Sequence, residues 1–288
     1  MDRLSDIGTI KSILSRHGFS FSKALGQNFL VNPNVCPEMA RLSGAGEGVG
    51  VIEIGPGIGV LTAELAKLAD KVVSIELDKR LLPVLDETLA GFDNVTIVNG
   101  DVMEVDLRKL IEEEFEELDV VVCANLPYYI TSPVIMKLLE ERLPIRSITV
   151  MVQKEAAQRI TAPLGTRAAG AVTASVSYYA EAKTLFKVSA GSFMPPPKVD
   201  SAVIRLDIRP QPPVSVSDEA LMFSVIRASF AQRRKTILNS LSNSLHLGKG
   251  DVSAALEKAG VSPTARAEQL TLGEFAAVAN ALHENNGK

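Results

Sequence analysis

An α/β fold, a doubly wound and mostly parallel sheet followed by a small all-α domain, is what this sequence predicts. Three observations carry the prediction. Apolar strand-like runs alternate with helical patterns across residues 49–160, a glycine turn closes the first of those runs, and a proline-rich stretch separates the alternation from a helical tail.

Residues 1–45 form an N-terminal arm ahead of the alternation. Strand and helix then pair in order: 49–54 with 60–68, 71–75 with 79–89, 95–98 with 107–117, 119–124 with 133–142, and 147–152 with 154–160. A helical pattern at 171–179 precedes two further strand candidates, 183–188 and 201–208, close enough for an antiparallel finish. Between them, Phe193-Met194-Pro195-Pro196-Pro197-Lys198 can be neither helix nor interior strand, because proline fixes φ and lacks a donor. Arg209-Pro210-Gln211-Pro212-Pro213 reads as a stiff linker, which divides the chain into domains 1–210 and 211–288. In the tail, Ser217 can cap a helix with Met222, Ile226, Phe230, Ile237, Leu241 and Leu245 along one face, placing Arg233-Arg234-Lys235 on that long helix. Thr271 and Glu274 form a capping box for a last helix reaching about His283, and the glutamates of 112–117 read as a solvated helix face.

Composition narrows the function classes. The 288 residues are 46% hydrophobic and 22% charged, an ordinary globular balance, and no apolar run approaches the roughly 18 residues of a membrane span. Met1 to Asp6 lack a basic segment followed by an apolar core, so no secretory signal is visible and a cytoplasmic location is expected. Cys36 and Cys123 lack metal-ligand spacing and read as reduced thiols; His17, His246 and His283 are scattered, so no metal site is expected. The net charge of −4 is unevenly spread: residues 1–150 carry 14 Lys+Arg against 23 Asp+Glu, residues 151–210 carry 8 against 4, and residues 211–288 carry 8 against 7. A basic excess confined to the second half suits local contacts to a polyanion.

The chemistry-bearing residues sit at strand ends. Val51-Ile52-Glu53-Ile54-Gly55-Pro56-Gly57-Ile58-Gly59 is a strand entering a glycine turn and then a helix, and Gly55 and Gly57 let backbone approach a ligand. Glu76 ends the next strand, where a carboxylate can accept two ribose hydroxyls, and Asp101 lies near the end of the third, where it can take an adenine amino group. Asn125-Leu126-Pro127-Tyr128 follows the buried strand at 118–124. The Asn125 amide, the Leu126 carbonyl, the stiffening Pro127 and the Tyr128 ring together suit a planar base bearing an amino group. The order fits an adenosine-containing cofactor laid across the sheet, with a second base offered to Asn125.

The same stretches, with Leu25-Gly26-Gln27-Asn28-Phe29-Leu30, Ile75-Glu76-Leu77-Asp78, Gly100-Asp101, Gln153-Lys154-Glu155, Phe193 to Val203 and Gln232 to Thr236, make the chain resemble the KsgA-type small-subunit ribosomal RNA adenine dimethyltransferases over nearly its whole length. The resemblance implies a Rossmann-like class I methyltransferase sheet with S-adenosylmethionine held at Asn28, Leu30, Gly55, Glu76, Asp101 and Asn125. It implies two adjacent adenosines near the 3′ end of the small-subunit (16S) RNA as substrate, presented by the assembling 30S particle. A monomer without metal is expected, and Phe193 would be a second aromatic wall, where the residues alone also allow a loop anchor. Lys154, Arg159, Arg167, Lys198, Arg233, Arg234 and Lys235 are the candidate phosphate contacts. In Gly165 to Gly170 the family pattern has an aromatic where Ala169 stands.

The adenine amino nitrogen is a poor nucleophile, so catalysis by Asn125, Leu126, Pro127 and Tyr128 is expected to rest on positioning. Alignment can contribute about 7–11 kcal/mol. Three other readings remain at this point. Against the related large-subunit rRNA methyltransferase of macrolide resistance, the 193–203 and 232–236 stretches and the linker with its helical tail favour the small-subunit type; a non-catalytic assembly or transcription factor would show a damaged cofactor or base turn, and a nicotinamide dehydrogenase leaves Asn125 to Tyr128 unexplained.

Overall fold

The computed structural model describes residues 4–19 and 28–286. Met1 to Arg3 of the N-terminal reading, and Leu25-Gly26-Gln27 of the motif that precedes Asn28, lie outside the described residues.

Nine strands are described: β1 (Phe29–Leu30), β2 (Val49–Ile54), β3 (Lys71–Glu76), β4 (Val95–Asn99), β5 (Asp119–Asn125), β6 (Ile145–Gln153), β7 (Ala180–Val188), β8 (Phe193–Met194) and β9 (Ser201–Ile208). Seven form one sheet in the order β4-β3-β2-β5-β6-β9-β7. The pairs β3/β4, β2/β3, β2/β5 and β5/β6 are parallel and β9 is antiparallel to β6. The chain leaves β2 toward β3 and β4, then returns to start β5 on the other side of β2. This reversal opens a crevice at the carboxyl ends of β2 and β5, where ligands bind in such sheets.

The strands are apolar because both faces are covered. Every residue of β2 is buried, Glu53 included. One face carries α2 (Val35–Ser43) and α3 (Val60–Ala66) in a cluster with Val51, Val121 and Cys123; a second cluster joins α1 (Ile7–Arg16) to α4 (Leu82–Thr88) through Ile10, Ile13, Val84 and Leu85. Successive side chains of β1 divide between them, as strand alternation requires: Phe29 joins the second cluster and Leu30 the first. The arm is thereby packed into the sheet's own cores. Its strand pairs antiparallel with β8, setting Leu30 opposite Phe193 and Phe29 opposite Met194. The 193–198 segment thus supplies a two-residue edge strand before its prolines begin.

Helix α5 (Leu107–Glu114) stops three residues earlier than the glutamate run suggests. Phe115, 1% exposed, takes the C-cap position and Glu116 adopts φ +44°, so the later glutamates belong to a turn. Helices α6 (Thr131–Glu140) and α7 (Lys154–Ile160) complete the alternation.

Contacts group residues 158–182 with 209–288 as a second compact unit, where the linker-based reading left 158–182 in the first domain. Aromatic packing is the reason. Helix α8 (Ala171–Tyr179) places Tyr179 stacked on Phe223 with ring centroids 5.4 Å apart, and both Tyr178 and Tyr179 donate hydroxyl hydrogen bonds to Glu219. The expected long helix is two, α9 (Glu219–Phe230) and α10 (Ile237–Leu245), and Asp218 rather than Ser217 caps the first by accepting from Leu221 N–H at 2.9 Å. Arg233, Arg234 and Lys235 lie in the intervening turn: Lys235 N–H bonds the Gln232 carbonyl and Thr236 adopts an extended N-cap conformation. The apolar residues that suggested one face belong to two buried faces. A further helix, α11 (Lys249–Lys258), precedes α12 (Leu272–Asn286), whose capping box forms as expected between Thr271 and Glu274.

Gly50 supplies a stability prediction. It sits in β2 between paired strands, opposite Lys71 and Val120, and a Cβ there would overlap the buried Phe115 ring. With backbone pairing on both sides the strand cannot step away, so Gly50→Ala is expected to cost about 1–3 kcal/mol. Urea unfolding should show a lower midpoint at unchanged slope. In a Phe115→Leu background the same substitution should cost less, because the obstructing ring is gone.

Candidate active site

One cleft, about 1140 Å³ with the solvent-open space at its mouth included, gathers Asn28, Leu30, Gly55, Gly57, Glu76, Asp101, Asn125, Leu126, Pro127, Tyr128 and Phe193. Residues from five strand ends and the N-terminal arm therefore converge, as the crevice topology requires. Parallel pairing is what aligns them: Ile54 lies opposite both Ile75 and Ala124, so Gly55, Glu76 and Asn125 leave neighbouring strands at the same level.

The glycine turn is shaped for a ligand. Gly55 has φ +71° with open space where a Cβ would stand, and Gly57 has φ +62° with Phe29 just beyond its missing Cβ. Both conformations favour glycine. Glu76 is held from two sides, accepting from Asp78 N–H at 2.7 Å and more loosely from Gly57 N–H at 3.4 Å. Burial raises its pKa, opposed by those backbone bonds. Asp101 follows β4 by two residues, with one carboxylate oxygen accepting from Met103 N–H at 2.8 Å.

The turn that follows β5 is fixed by its surroundings. Asn125 is the last residue of β5, and its side-chain amide makes no hydrogen bond to any described residue. The Pro127 carbonyl is occupied by Ile130 N–H at 3.1 Å and by the Thr131 hydroxyl, which leaves the Leu126 carbonyl as the turn acceptor assigned to a base. Tyr128 is half-buried, and its hydroxyl lies 2.8 Å from Ser201 Oγ at the start of β9. Burial raises the Tyr128 pKa and the Ser201 bond opposes the shift. Phe193, 4% exposed, packs with Leu30 and Cys36, which anchors its loop, and lines the cleft.

Two parts of the site escape sequence reading. Ser201 stands 73 residues from Tyr128, and only the antiparallel return of β9 brings them together. Glu53 was legible as an acid before the turn, but its anchors were not. Thr62 and Ser74 both donate to one carboxylate oxygen at 2.6 Å, the other oxygen has no partner among the described residues, and burial pushes the pKa up to about 7. The same burial raises the Cys36 and Cys123 thiols, and both are free. Among the described residues no cluster of three or more His, Cys, Asp and Glu side chains could hold a metal ion. His17 pairs with Glu87 of α4 at 2.7 Å, 70 residues away in sequence.

The candidate phosphate contacts are all exposed, but the two compact units divide them. Lys154 and Lys198 belong to the first, and Arg159, Arg167, Arg233, Arg234 and Lys235 to the second. Arg233 also braces its own unit, donating to the carbonyls of Arg167 and Ala169. Ala169 is fully buried there, so the family's aromatic position is an interior one in this chain.

A pH prediction follows from Glu53. Its carboxyl titrates near the model-compound value of 4.5 when unfolded and at about 7 when folded, so between those values the native state binds more protons than the unfolded state. Stability therefore falls as pH rises through that window, by up to about 3 kcal/mol. Urea unfolding of the wild type and Glu53→Gln across pH 4.5–7.5 should show the wild type losing ground as pH rises. Parallel curves would mean that Glu53 does not titrate in the fold.

Comparison with known proteins places the chain in a family. Residues 18–284 match the family described as "Ribosomal RNA adenine dimethylase". The chain is 53% identical to "Ribosomal RNA small subunit methyltransferase A" of Geobacillus thermodenitrificans, covering 96% of this chain and 95% of that one, and 50% identical to the Bacillus mycoides protein of the same name, covering 97% and 98%. Among solved structures, a dimethyladenosine transferase from Plasmodium falciparum superposes with TM-score 0.72 at 27% identity over 90% of this chain and 98% of that one. The 23S rRNA methyltransferase ErmE gives 0.67 at 29% identity over 89% and 100%. With a family match spanning nearly the whole sequence and relatives half identical end to end, the chain belongs to the ribosomal RNA adenine dimethylase family.

Proposed function

We propose that this chain dimethylates N6 of two adjacent adenosines near the 3′ end of the small-subunit (16S) ribosomal RNA, acting as a cytoplasmic monomer on the assembling 30S particle. The chain is an S-adenosylmethionine-dependent rRNA adenine dimethyltransferase of the small-subunit type. The observation that carries the reading is the unpartnered Asn125 amide at the end of β5, level with the glycine turn of β2 and walled by Tyr128 and Phe193. No helix among the described residues is long and apolar enough to cross a membrane.

The cleft fits the cofactor. Open space beside Gly55 admits close approach to backbone, Glu76 offers a buried carboxylate for ribose hydroxyls, and Asp101 keeps a second oxygen for an adenine amino group. Asn28 and Leu30 would complete the hold from the arm. S-adenosylmethionine, when bound, supplies an electrophilic methyl group on a sulfonium.

The residues of this chain do the rest by positioning. The Asn125 side-chain oxygen and the Leu126 carbonyl accept the two amino protons of the target adenine, which turns the nitrogen lone pair out of the ring plane and into the cleft. Tyr128 stacks on the base, compensating for the stacking lost when it leaves its RNA neighbours. The nitrogen becomes cationic on methylation and then readily loses a proton, so no strong general base is required. Lys154, Lys198, Arg159, Arg167, Arg233, Arg234 and Lys235 would contact phosphates; Arg233 divides its donors between that task and its bracing bonds.

Radiolabel from S-adenosylmethionine is expected to appear as dimethyladenosine in unmethylated small subunits and not in large subunits; label confined to large subunits would assign the ErmE-like reaction instead. Asn125→Ala should lower kcat by about 100-fold or more, the scale for removing one positioned hydrogen-bonding group, while RNA affinity changes little. An unimpaired Asn125→Ala enzyme would remove Asn125 from the mechanism.

A further inference from the structure

The base-gripping turn carries a second aromatic ring that the reaction above leaves unused. Tyr129 is 58% exposed, more than any other exposed large hydrophobic among the described residues, yet it lines the same cleft as Asn125 and Tyr128. It makes no hydrogen bond or ring contact with any described residue. Tyr128, its neighbour, is half-buried and tethered through its hydroxyl to Ser201. Consecutive residues therefore present one ring fixed within the cleft and one bare ring at its rim.

Extruding a base from a strand leaves its neighbour with an uncovered face. An aromatic ring beside the entry can cover that face, and it does so for any base, because every base has a π surface. We propose that Tyr129 is a stacking platform for the nucleotide adjacent to the adenosine held by Asn125 and Tyr128, so that the cleft mouth binds a two-nucleotide unit of single-stranded RNA. This inference rests on the function proposed above and extends it to the flanking base. With two adjacent target adenosines, the rim ring receives one while the other is methylated. The platform carries no sequence preference of its own; it sets the register and orientation of the strand entering the cleft.

The chain contains no tryptophan, so Tyr129→Trp places a single indole at the rim. Its fluorescence is expected to be quenched as unmethylated small-subunit RNA is titrated in. Tyr129→Ala should raise KM for that RNA roughly 10-fold with kcat and calorimetric affinity for S-adenosylmethionine unchanged, and Tyr129→Phe should retain the wild-type KM, since stacking needs the ring and not the hydroxyl. An unquenched indole at saturating RNA, together with an unchanged KM for Tyr129→Ala, overturns the platform while wild-type methylation still stands. Absence of methyl label from the wild type on small subunits overturns the functional reading itself, and the platform with it.

Discussion

Parallel pairing of β2 with β5 is the constraint on which the rest of the structure depends. Because Ile54 lies opposite Ala124, the glycine turn and Asn125 emerge side by side, so that a ligand at one would lie adjacent to a base at the other. A one-residue slip would turn Asn125 toward the other face and bury a polar amide among the apolar contacts of the sheet. The register is secured by strands with no polar face: Val120, Val121, Val122, Cys123 and Ala124 are all at most 2% exposed. The chemistry needs geometry from the protein more than it needs a reactive side chain, and the hydrophobic core supplies that geometry.

Much of this was legible because local signals and tertiary structure agree. The strands at Val49–Ile54 and Ser201–Ile208 and the helix at Ala171–Tyr179 fall where the residue patterns place them, since an apolar run bounded by turn residues leaves little choice. Gly55, Glu76 and Asn125 were legible as strand ends for the same reason. The helical tail was less so: amphipathic periodicity continues in phase across residues 231–236, and nothing in the spacing of Ile226, Phe230 and Ile237 shows that the chain turns there. Membership of 158–182 in the second unit depends on Tyr179 meeting Phe223, a contact between elements that carries no sequence periodicity.

The anchoring groups were illegible for a different reason. A serine at the head of a strand or a threonine in a helix is common, and its significance lies in what it faces. Thr62 and Ser74 matter because Glu53 is buried between them, and Ser201 because β9 runs antiparallel beside β6. Polar groups of this kind are cheap to place at a surface and costly inside, so their partners are best read from the assembled interior.

The pairing of β1 with β8 has a consequence in time. Asn32 bonds Ser192 across 160 residues of sequence, and Leu30 meets Phe193 in the same small sheet. A chain still emerging from synthesis can complete the strands that carry Gly55, Glu76 and Asn125 long before either the Phe193 wall or the Ser201 tether exists. The half-made protein therefore has the strand ends of the proposed cofactor site without the enclosure proposed to orient a target base, and the complete cleft arrives late, with the last strand of the sheet.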